Sequence, residues 1–312
     1  MSHNINSMFY NGAEPWHKLG KKVDNLLTSA EAIEAAGLNW QVAKLPIFLG
    51  DGQEIKDQYA TVRLDTNQAL GVVGSKYTVL QNKDAFSFFD GVVSVKEAMY
   101  ETAGALGSGE RIWLLAKLPG YIRTVGDDIT EKYLLLTNTH DGSGSVQVMM
   151  TPIRVVCQNT LNIGMATGTN KSKIRHTFNM GSKVEEVRKT LGLINVQFNV
   201  FEEATRKLAA VDLTNEALQA YIKKCGLIPS GEETSTRAKN IMEEVSARWV
   251  SGLGATLPGA KGTAWGAFNA VVEYVDYKRG GENAEKRANS LLFGSGANVK
   301  QQAFNEALAL IK

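Results

Sequence analysis

The spacing of apolar residues changes near residue 181, and this change constrains the fold more than any single motif does. Before it, apolar residues alternate with others, as Ile112, Leu114 and Ala116 do, which is the period of a half-buried strand. After it, apolar residues recur every three or four positions, which is the period of a helix. We therefore expect an α+β fold, in which a mainly antiparallel, hairpin-built sheet packs on helices and an all-helical C-terminal region follows.

Two helices are predicted within the strand-rich half, Ser29–Ala36 (opened by Thr28) and a second near 82–93. In the second half a heptad seam marks one long helix: Val184, Val187, Leu191, Ile194, Phe198, Phe201, Thr205 and Leu208. Packing within a helix bundle and self-association would both produce such a seam. Shorter helices are predicted near 215–224, 232–250, 263–278, 284–291 and 299–311. The expected domains are a sheet domain over residues 1–180 and a helical region over residues 181–312.

Composition excludes several classes of protein. The chain has 312 residues, of which 44% are hydrophobic and 21% charged, as in an ordinary globular protein with a sizeable core. The net charge of +2 means that affinity for nucleic acid has to come from a local patch. Cys157 and Cys225 form no CxxC pair, which argues against a disulfide framework or a structural zinc site. No signal peptide or membrane-spanning run is evident, so we expect a cytoplasmic protein with no membrane partner.

The clearest local motif is a hairpin followed by a segment that carries one arginine. The hairpin joins Tyr133–Thr137 to Val146–Met150 through a His140–Gly144 turn, and its apolar residues alternate as in a strand. A short helix is predicted over Thr151–Leu161, with Arg154 one turn into an otherwise apolar stretch. An arginine in this position would hold a phosphate or a base edge, or it would cap the sheet from a partly buried position. The sequence leaves both roles open.

A basic loop is predicted after this helix, over Lys171–His176. From residue 170 to residue 189 six basic residues stand against two acidic ones, an excess of four: Lys171, Lys173, Arg175, Lys183, Arg188 and Lys189 against Glu185 and Glu186. Clustered cations of this kind bind phosphates, because each neutralised phosphate releases condensed counterions. A solvated loop and a helix of mixed charge would have the same composition. Lys171, Lys173 and Arg175 are therefore candidate nucleic-acid ligands.

Cations also interleave with aromatic residues on two predicted strands. Arg111, Trp113 and Lys117 share one face of a strand, and Arg63 shares a face of another strand with Tyr59. This combination suits single-stranded nucleic acid, whose bases stack on aromatic rings while its backbone follows the charges. Trp113 is the predicted stacking platform, although large aromatic residues are more often core.

Enzyme interpretations fit the sequence poorly. The glycine-rich segment Gly104–Gly109 lacks the Lys-Ser/Thr of a P-loop and leads into a strand, so a turn or bulge is predicted there. The four histidines lack metal-ligand spacing, so we expect no metal site, and no cofactor motif is present. A Cys157 nucleophile with His140 or His176 remains as a third interpretation, but nothing in the sequence brings these residues together. We expect a binding protein with no catalytic residues, metal or cofactor.

Three strings resemble a family found in phages, prophages and plasmids and called domain of unknown function 932. They are Pro15–Gly20, Thr151–Leu161 and Gly262–Asp276, which are spread in order over nearly the whole chain. The third string departs from the usual pattern, since Tyr277 stands where a histidine often follows the aspartate. The resemblance implies a protein of phage or plasmid origin and supplies little biochemistry.

A second resemblance implies a function. The order of hairpin sheet, arginine-bearing helix and Asn-x-Leu, over about residues 40–180, is similar to the single-strand annealing recombinases of the Rad-fifty-two type. It implies a homo-oligomeric ring or filament that anneals single-stranded DNA without ATP, serving homologous recombination. It also implies that Arg154 reaches a basic groove, with Lys171, Lys173 and Arg175 at its edge, and that a phage nuclease or a host protein is a further partner. The alternative is a protein-interaction module that acts on a host factor, for example against a defence system.

Overall fold

The computed structural model describes most of the chain in segments: residues 5–11, 20–24, 27–93, 99–154, 159–160, 171–174, 184–229, 231–232, 234–257, 259–279, 290 and 294–311. The chain forms two compact units. The first comprises Met1–Pro119, Leu134–Met149 and Lys171–Leu193, and the second comprises Gly120–Tyr133, Met150–Asn170 and Ile194–Lys312. Residues 175–183 lie outside the described segments, so the domain boundary at residue 181 stays a prediction.

The described strands, in chain order, are β1 (Ile5–Asn11), β2 (Lys21–Val23), β3 (Val42–Phe48), β4 (Glu54–Arg63), β5 (Gln68–Gly74), β6 (Met99–Leu106), β7 (Arg111–Arg123), β8 (Ile129–Thr139), β9 (Val146–Met150), β10 (Ile153–Arg154), β11 (Asn159–Thr160) and β12 (Lys171–Ile174). The described helices are α1 (Ser29–Ala35), α2 (Asn82–Val93), α3 (Val184–Ala209), α4 (Asn215–Lys224), α5 (Thr236–Ser251), α6 (Ala264–Tyr277) and α7 (Ser295–Leu308). No helix in these segments is long and apolar enough to cross a membrane.

Hairpins build most of the sheet structure. The larger sheet has the order β11-β10-β8-β7-β6-β1-β2, with β9 beside β8 and β12 beside β9. Only the β1–β2 pair has a parallel register among the ladders whose registers are described. A second sheet, β3-β4-β5, is antiparallel. The last five described helices, α3 to α7, follow all the described strands, so the protein is of the α+β class, as predicted.

The first unit packs apolar faces whose period is visible in the sequence. On β7, Ile112, Leu114 and Ala116 are all fully buried, which confirms the predicted alternation. In α1, the Thr28 hydroxyl accepts a hydrogen bond from the N–H of Glu31, and the Glu31 carboxylate accepts one from the N–H of Thr28. This capping box starts the helix where the sequence predicts it.

The second unit is centred on an aromatic cluster of Phe201, Trp265, Phe268 and Phe304, with ring centroids 5.3–6.3 Å apart. Trp265 is fully buried, and its Nε1–H donates to Asp128 Oδ2 at 2.7 Å. The later seam positions, Phe198, Phe201, Thr205 and Leu208, are all fully buried. Packing within the unit therefore accounts for this half of the seam, while the side chains of its first four positions lie outside the described segments.

Two helices start away from the predicted positions. α5 begins at Thr236, because the Ser235 hydroxyl accepts a hydrogen bond from the N–H of Ala238 at 3.1 Å and caps the helix there. The sequence pattern alone predicts a start near Glu232. α7 begins at Ser295, four residues before the predicted Val299, since buried small residues extend its packed face. A helix predicted near 284–291 falls almost wholly outside the described segments.

Candidate nucleic-acid interface

The predicted basic loop is wrong for its first four residues, because these form strand β12. Lys171 and Lys173 pair with Met149 and Gln147 of β9, while Ser172 and Ile174 pair with Val148 and Val146. Val146 and Val148 are buried, so β12 completes a ladder over an apolar row. Lysine alternates with serine or isoleucine in this segment, which is the pattern of a strand. The high charge of the segment favoured a loop prediction instead.

The two lysines occupy alternate positions and so lie on one face of β12. Residues two apart in a strand are about 6.6 Å apart. Among the described strands β12 pairs only with β9, so it is the outermost strand on this side of the described sheet. The lysine side chains and all of Arg175 lie outside what the structure describes.

The helix predicted over Thr151–Leu161 is also wrong where the structure describes it. Ile153–Arg154 is strand β10, which pairs with Thr130 and Glu131 of β8 and with Asn159–Thr160 of β11. The reason is local chemistry. Pro152 lacks an N–H for a helix interior, β-branched residues flank it, and the Thr151 N–H donates to Tyr133 O at 2.8 Å.

Arg154 therefore occupies a position opposite Thr130 and Asn159 in a short antiparallel ladder. Arg154 and Asn159 lie directly opposite each other on the two strands β10 and β11, so in the structure they do not belong to one helix. The direction of the Arg154 side chain lies outside the described residues, as does all of Gln158.

Arg111 and Lys117 lie on the less buried face of β7, as predicted. Both residues are half-buried, whereas Ile112, Leu114 and Ala116 on the other face are fully buried. Burial lowers the pKa of Arg111, and the nearby Asp141 carboxylate opposes this effect. Arg111 therefore already has an anionic neighbour, which reduces its value as a phosphate ligand.

Trp113 does not fit the predicted role of a stacking platform. Only 6% of the residue is exposed, so a nucleic-acid base has little ring surface to reach. Its ring lies over Gly104, the residue that it faces across the β6–β7 ladder. A Cβ on Gly104 would be 2.5 Å from Trp113 Cη2, so the glycine makes room for the ring. Trp113 is a core residue.

Arg63 is also buried, at 7% exposure, and its guanidinium makes four hydrogen bonds inside the first unit. Its Nε donates to Asp65 Oδ1 at 2.8 Å, and its Nη1 donates to Asn6 Oδ1 at 2.8 Å and to Ser108 O at 2.9 Å. Its Cζ lies 4.4 Å from the centre of the Trp40 ring. The prediction that Arg63 contacts nucleic acid does not fit this environment.

His140 belongs to the same buried region, which the sequence did not reveal. It is fully buried, its Nε2 lies 2.9 Å from Asn82 Oδ1, and its ring packs edge-on against Trp40 at 5.4 Å. In this buried position His140 does not face solvent, where it could act as a general base. Cys157 and His176 lie outside the described segments. The only advance signal was the His140–Asp141–Gly142 turn, which fixes the backbone but not its long-range partners.

A cleft of about 380 Å³ lies beside α1 and α2 in the first unit. Its apolar lining includes Ile33, Leu38 and Phe86, and its charged residues are Lys83 and Asp84. The two charges cancel, so the cleft has no electrostatic preference for phosphate. None of the predicted nucleic-acid ligands lines it.

Comparison with known proteins places the chain by family alone. The family model described as Domain of unknown function (DUF932) matches residues 69–302. Comparison with the curated proteins and with the solved structures gave no match. The matched range covers well over half of the chain and includes the segment from β10 onward and helix α6, two of the places on which the sequence resemblance rests. The chain is therefore a member of the DUF932 family.

Proposed function

We propose that this protein binds single-stranded DNA and promotes annealing of complementary strands without ATP, in a phage or plasmid recombination process. The observation that carries the proposal is the position of Lys171 and Lys173 on one face of β12, which is the outermost of the described strands beside β9. The surrounding local excess of basic residues supports it, because the whole chain has a net charge of only +2.

An extended nucleic-acid strand suits an edge strand of a sheet. Ammonium groups that alternate along a strand can each meet a different phosphate, which fixes the backbone and leaves the bases free. Annealing of exposed complementary bases is downhill, so capture of the backbone is sufficient and hydrolysis is not needed. Arg154 and Arg175 complete the proposed ligand set, Arg111 and Lys117 contribute less, and assembly into a homo-oligomer would extend the track.

Equilibrium binding tests the proposal. Fluorescence anisotropy with a labelled oligonucleotide should show tighter binding of single-stranded than of duplex DNA. A Lys171→Gln, Lys173→Gln variant should bind at least about tenfold more weakly, since each lost charged contact is worth about 1 kcal/mol or more. The matched control is Lys223→Gln, Lys224→Gln, which removes the same charge from an exposed helix end and should bind like the wild type.

Annealing itself needs a separate readout. Two complementary labelled strands, mixed with protein and no nucleotide, should pair faster than without protein, and the β12 variant should lose this acceleration. Binding without acceleration would reduce the function to passive binding. Absence of binding to single strands would contradict the proposal altogether.

A second candidate function is a protein-interaction module, and one observation favours it. In the three-stranded sheet, Leu45, Ala60 and Val72 face one another across the two ladders. Leu45 is 42% exposed and Val72 is 60% exposed, so an apolar row lies open on this face. Open apolar rows of this kind mark contact sites for other proteins.

The two candidates predict different sensitive residues. A Leu45→Ser, Val72→Ser variant should abolish biological activity if the protein acts on another protein, and the β12 variant should then remain active. A plating or maintenance assay of the phage or plasmid that carries the gene distinguishes them. Loss of activity only in the β12 variant would leave the DNA proposal standing.

A further inference from the structure

One face of α5 carries charge at helical spacing. Arg237, Glu244 and Arg248 are separated by seven and four residues, which places all three along one stripe of the helix. The Arg248 Nη1 donates to Glu244 Oε2 at 2.5 Å. The stripe therefore ends, toward the start of the helix, in Arg237, which is exposed.

α6 adds a second set of charges beside this stripe. Arg248 Nε lies 3.9 Å from Glu273 Oε1, Lys278 Nζ lies 3.6 Å from Glu244 Oε1, and Arg248 Cζ lies 5.8 Å from the centre of the Tyr274 ring. Later residues of α6 thus contact earlier residues of α5, so the two helices run antiparallel. Arg279, just beyond the end of α6, therefore lies toward the Arg237 end of the stripe.

The carboxylates of this cluster do not balance its cations. Four cations, Arg237, Arg248, Lys278 and Arg279, stand against Glu244 and Glu273. Glu244 already pairs with Arg248 and Lys278, and Glu273 pairs with Arg248. In the described segments neither Arg237 nor Arg279 forms an ion pair. Two positive charges remain at one end of the cluster.

Arg279 holds its charge in a half-buried position. Its Nη1 donates to Ser295 O at 3.3 Å, whereas a guanidinium has five N–H donors. Burial of a charged group is costly unless hydrogen bonds and an opposite charge compensate it. Burial lowers the pKa of Arg279, and the positive charge of Arg237 lowers it further, while Tyr274 opposes both. An anion at this place would remove the imbalance.

We propose that Arg237 and Arg279, with the Tyr274 hydroxyl, form a binding site for a phosphate-bearing anion in the helical part of the protein. Two guanidinium groups offer paired N–H donors that match phosphate oxygens. Burial raises the pKa of Tyr274, so its hydroxyl stays protonated near neutral pH and can donate. The site does not rest on the DNA proposal, because none of its residues belongs to β10 or β12.

Ligand-dependent stability tests this site on the intact chain. Thermal unfolding is followed with inorganic phosphate, and with chloride at the same ionic strength so that screening is equal. Phosphate should raise the midpoint, as a ligand of the folded state does. Arg237→Gln and Arg279→Gln should each weaken the apparent phosphate affinity at least about tenfold. Lys239→Gln, which removes an exposed charge two residues along α5 and off the stripe, should not.

A short single-stranded oligonucleotide in a second arm identifies the source of the phosphate. Stabilisation by phosphate and loss of it in both arginine variants supports a site for a free phosphate group. Stabilisation by the oligonucleotide alone, with the same loss, supports a site for a nucleic-acid backbone. Because Arg237 is exposed, Arg237→Gln should still fold if Arg279→Gln does not. No stabilisation by either probe, or equal stabilisation in Arg237→Gln and Lys239→Gln, would overturn the proposal.

Discussion

At the scale of single residues, the groups around a cationic side chain decide whether it stabilises the fold or is available to bind a ligand. The sequence places Arg63 on the same strand face as Tyr59, and this pattern predicts a contact with nucleic acid. In the structure its guanidinium stacks on Trp40 and bonds to Asp65, Asn6 and Ser108. Its role is to join segments of the first unit that are distant in sequence.

Replacing Arg63 by methionine should therefore lower stability and leave DNA affinity unchanged. The loss of several charged hydrogen bonds is worth about 2–3 kcal/mol in the free energy of unfolding, measured by urea titration. Asp65 is about half exposed, so its charge contributes only a small part of this free energy of unfolding. A stable variant with weakened DNA binding would instead show that Arg63 contacts DNA.

The pH dependence of this pair has a definite sign. The Arg63 hydrogen bond lowers the pKa of Asp65, so the stabilisation is present above the carboxyl's ordinary pKa, about 4, and is lost as pH falls below it. The stability difference between wild type and Asp65→Asn should shrink under acid titration below about pH 4. A difference that stays constant down to pH 2 would contradict this linkage.

Cys225 is the one cysteine whose environment is described, and it should be inert in the native protein. Burial raises its pKa to about 12, so the thiolate that reacts with alkylating agents is scarce. In a Cys157→Ser background, iodoacetamide at pH 8 should modify Cys225 only when urea is added. The raised pKa also means that stability is full below the ordinary thiol pKa and falls as pH rises toward about 12. Rapid native modification would contradict the burial.

Residue roles were therefore the hardest to predict from sequence. Strand alternation correctly separated the two faces of β7, because local period decides that. It could not show that Trp113 lies over Gly104 on the less buried face, or that Arg63 finds partners up to 57 positions away. These outcomes depend on contacts between distant segments, which leave no local pattern.

At the scale of elements, caps and turns were predictable and short strands were not. The capping box at Thr28 and the turn at Gly107–Gly109, where both glycines have positive φ, follow from local chemistry. β10 has two residues and β12 has four. Segments this short do not show whether apolar residues recur with the period of a strand or of a helix. Their assignment depends on β8 and β9, which supply the partner backbone.

The β1–β6–β7 packing makes a direct prediction at Gly104. A Cβ there would lie 2.5 Å from Ser7 O and 2.6 Å from Met8 Cβ as well as against Trp113. Gly104→Ala should therefore lower the free energy of unfolding by about 2 kcal/mol through overpacking. Gly74→Ala is the control, since its Cβ would meet only Asp57 O at 4.0 Å. Equal stability of the two variants in urea would contradict the packing described.

The α6–α7 contact contains a buried ion pair. Lys300 Nζ donates to Asp276 Oδ1 at 2.9 Å, with both side chains almost wholly buried. Asp276→Ala leaves the ammonium without this carboxylate and should cost about 3–5 kcal/mol. The double variant Asp276→Ala, Lys300→Met should be more stable than Asp276→Ala alone in urea titration. A double variant as unstable as the sum of the single changes would contradict a coupled pair.

At the scale of the whole molecule, the low net charge means that any affinity for nucleic acid has to come from a local group of cations. A net charge of +2 over 312 residues gives little general attraction to nucleic acid. Binding has to come from β12 and its neighbours in the proposed DNA function, or from Arg237 and Arg279 in the phosphate site. Family membership confirms the sequence resemblance to DUF932, and the resemblance to the annealing recombinases stays a prediction.

The proposed binding of single-stranded DNA by the lysines of β12 is best tested through the salt dependence of that binding. For single strands, log K falls with log[salt] by about 0.7 for each phosphate contact. If β12 captures the DNA backbone, binding should be measurable with a clear salt slope, and the slope should be smaller by about 1.4 in the Lys171→Gln, Lys173→Gln variant, because two contacts are lost. No binding at low salt, or the same slope in the wild type and in this variant, would show that β12 does not bind the DNA backbone.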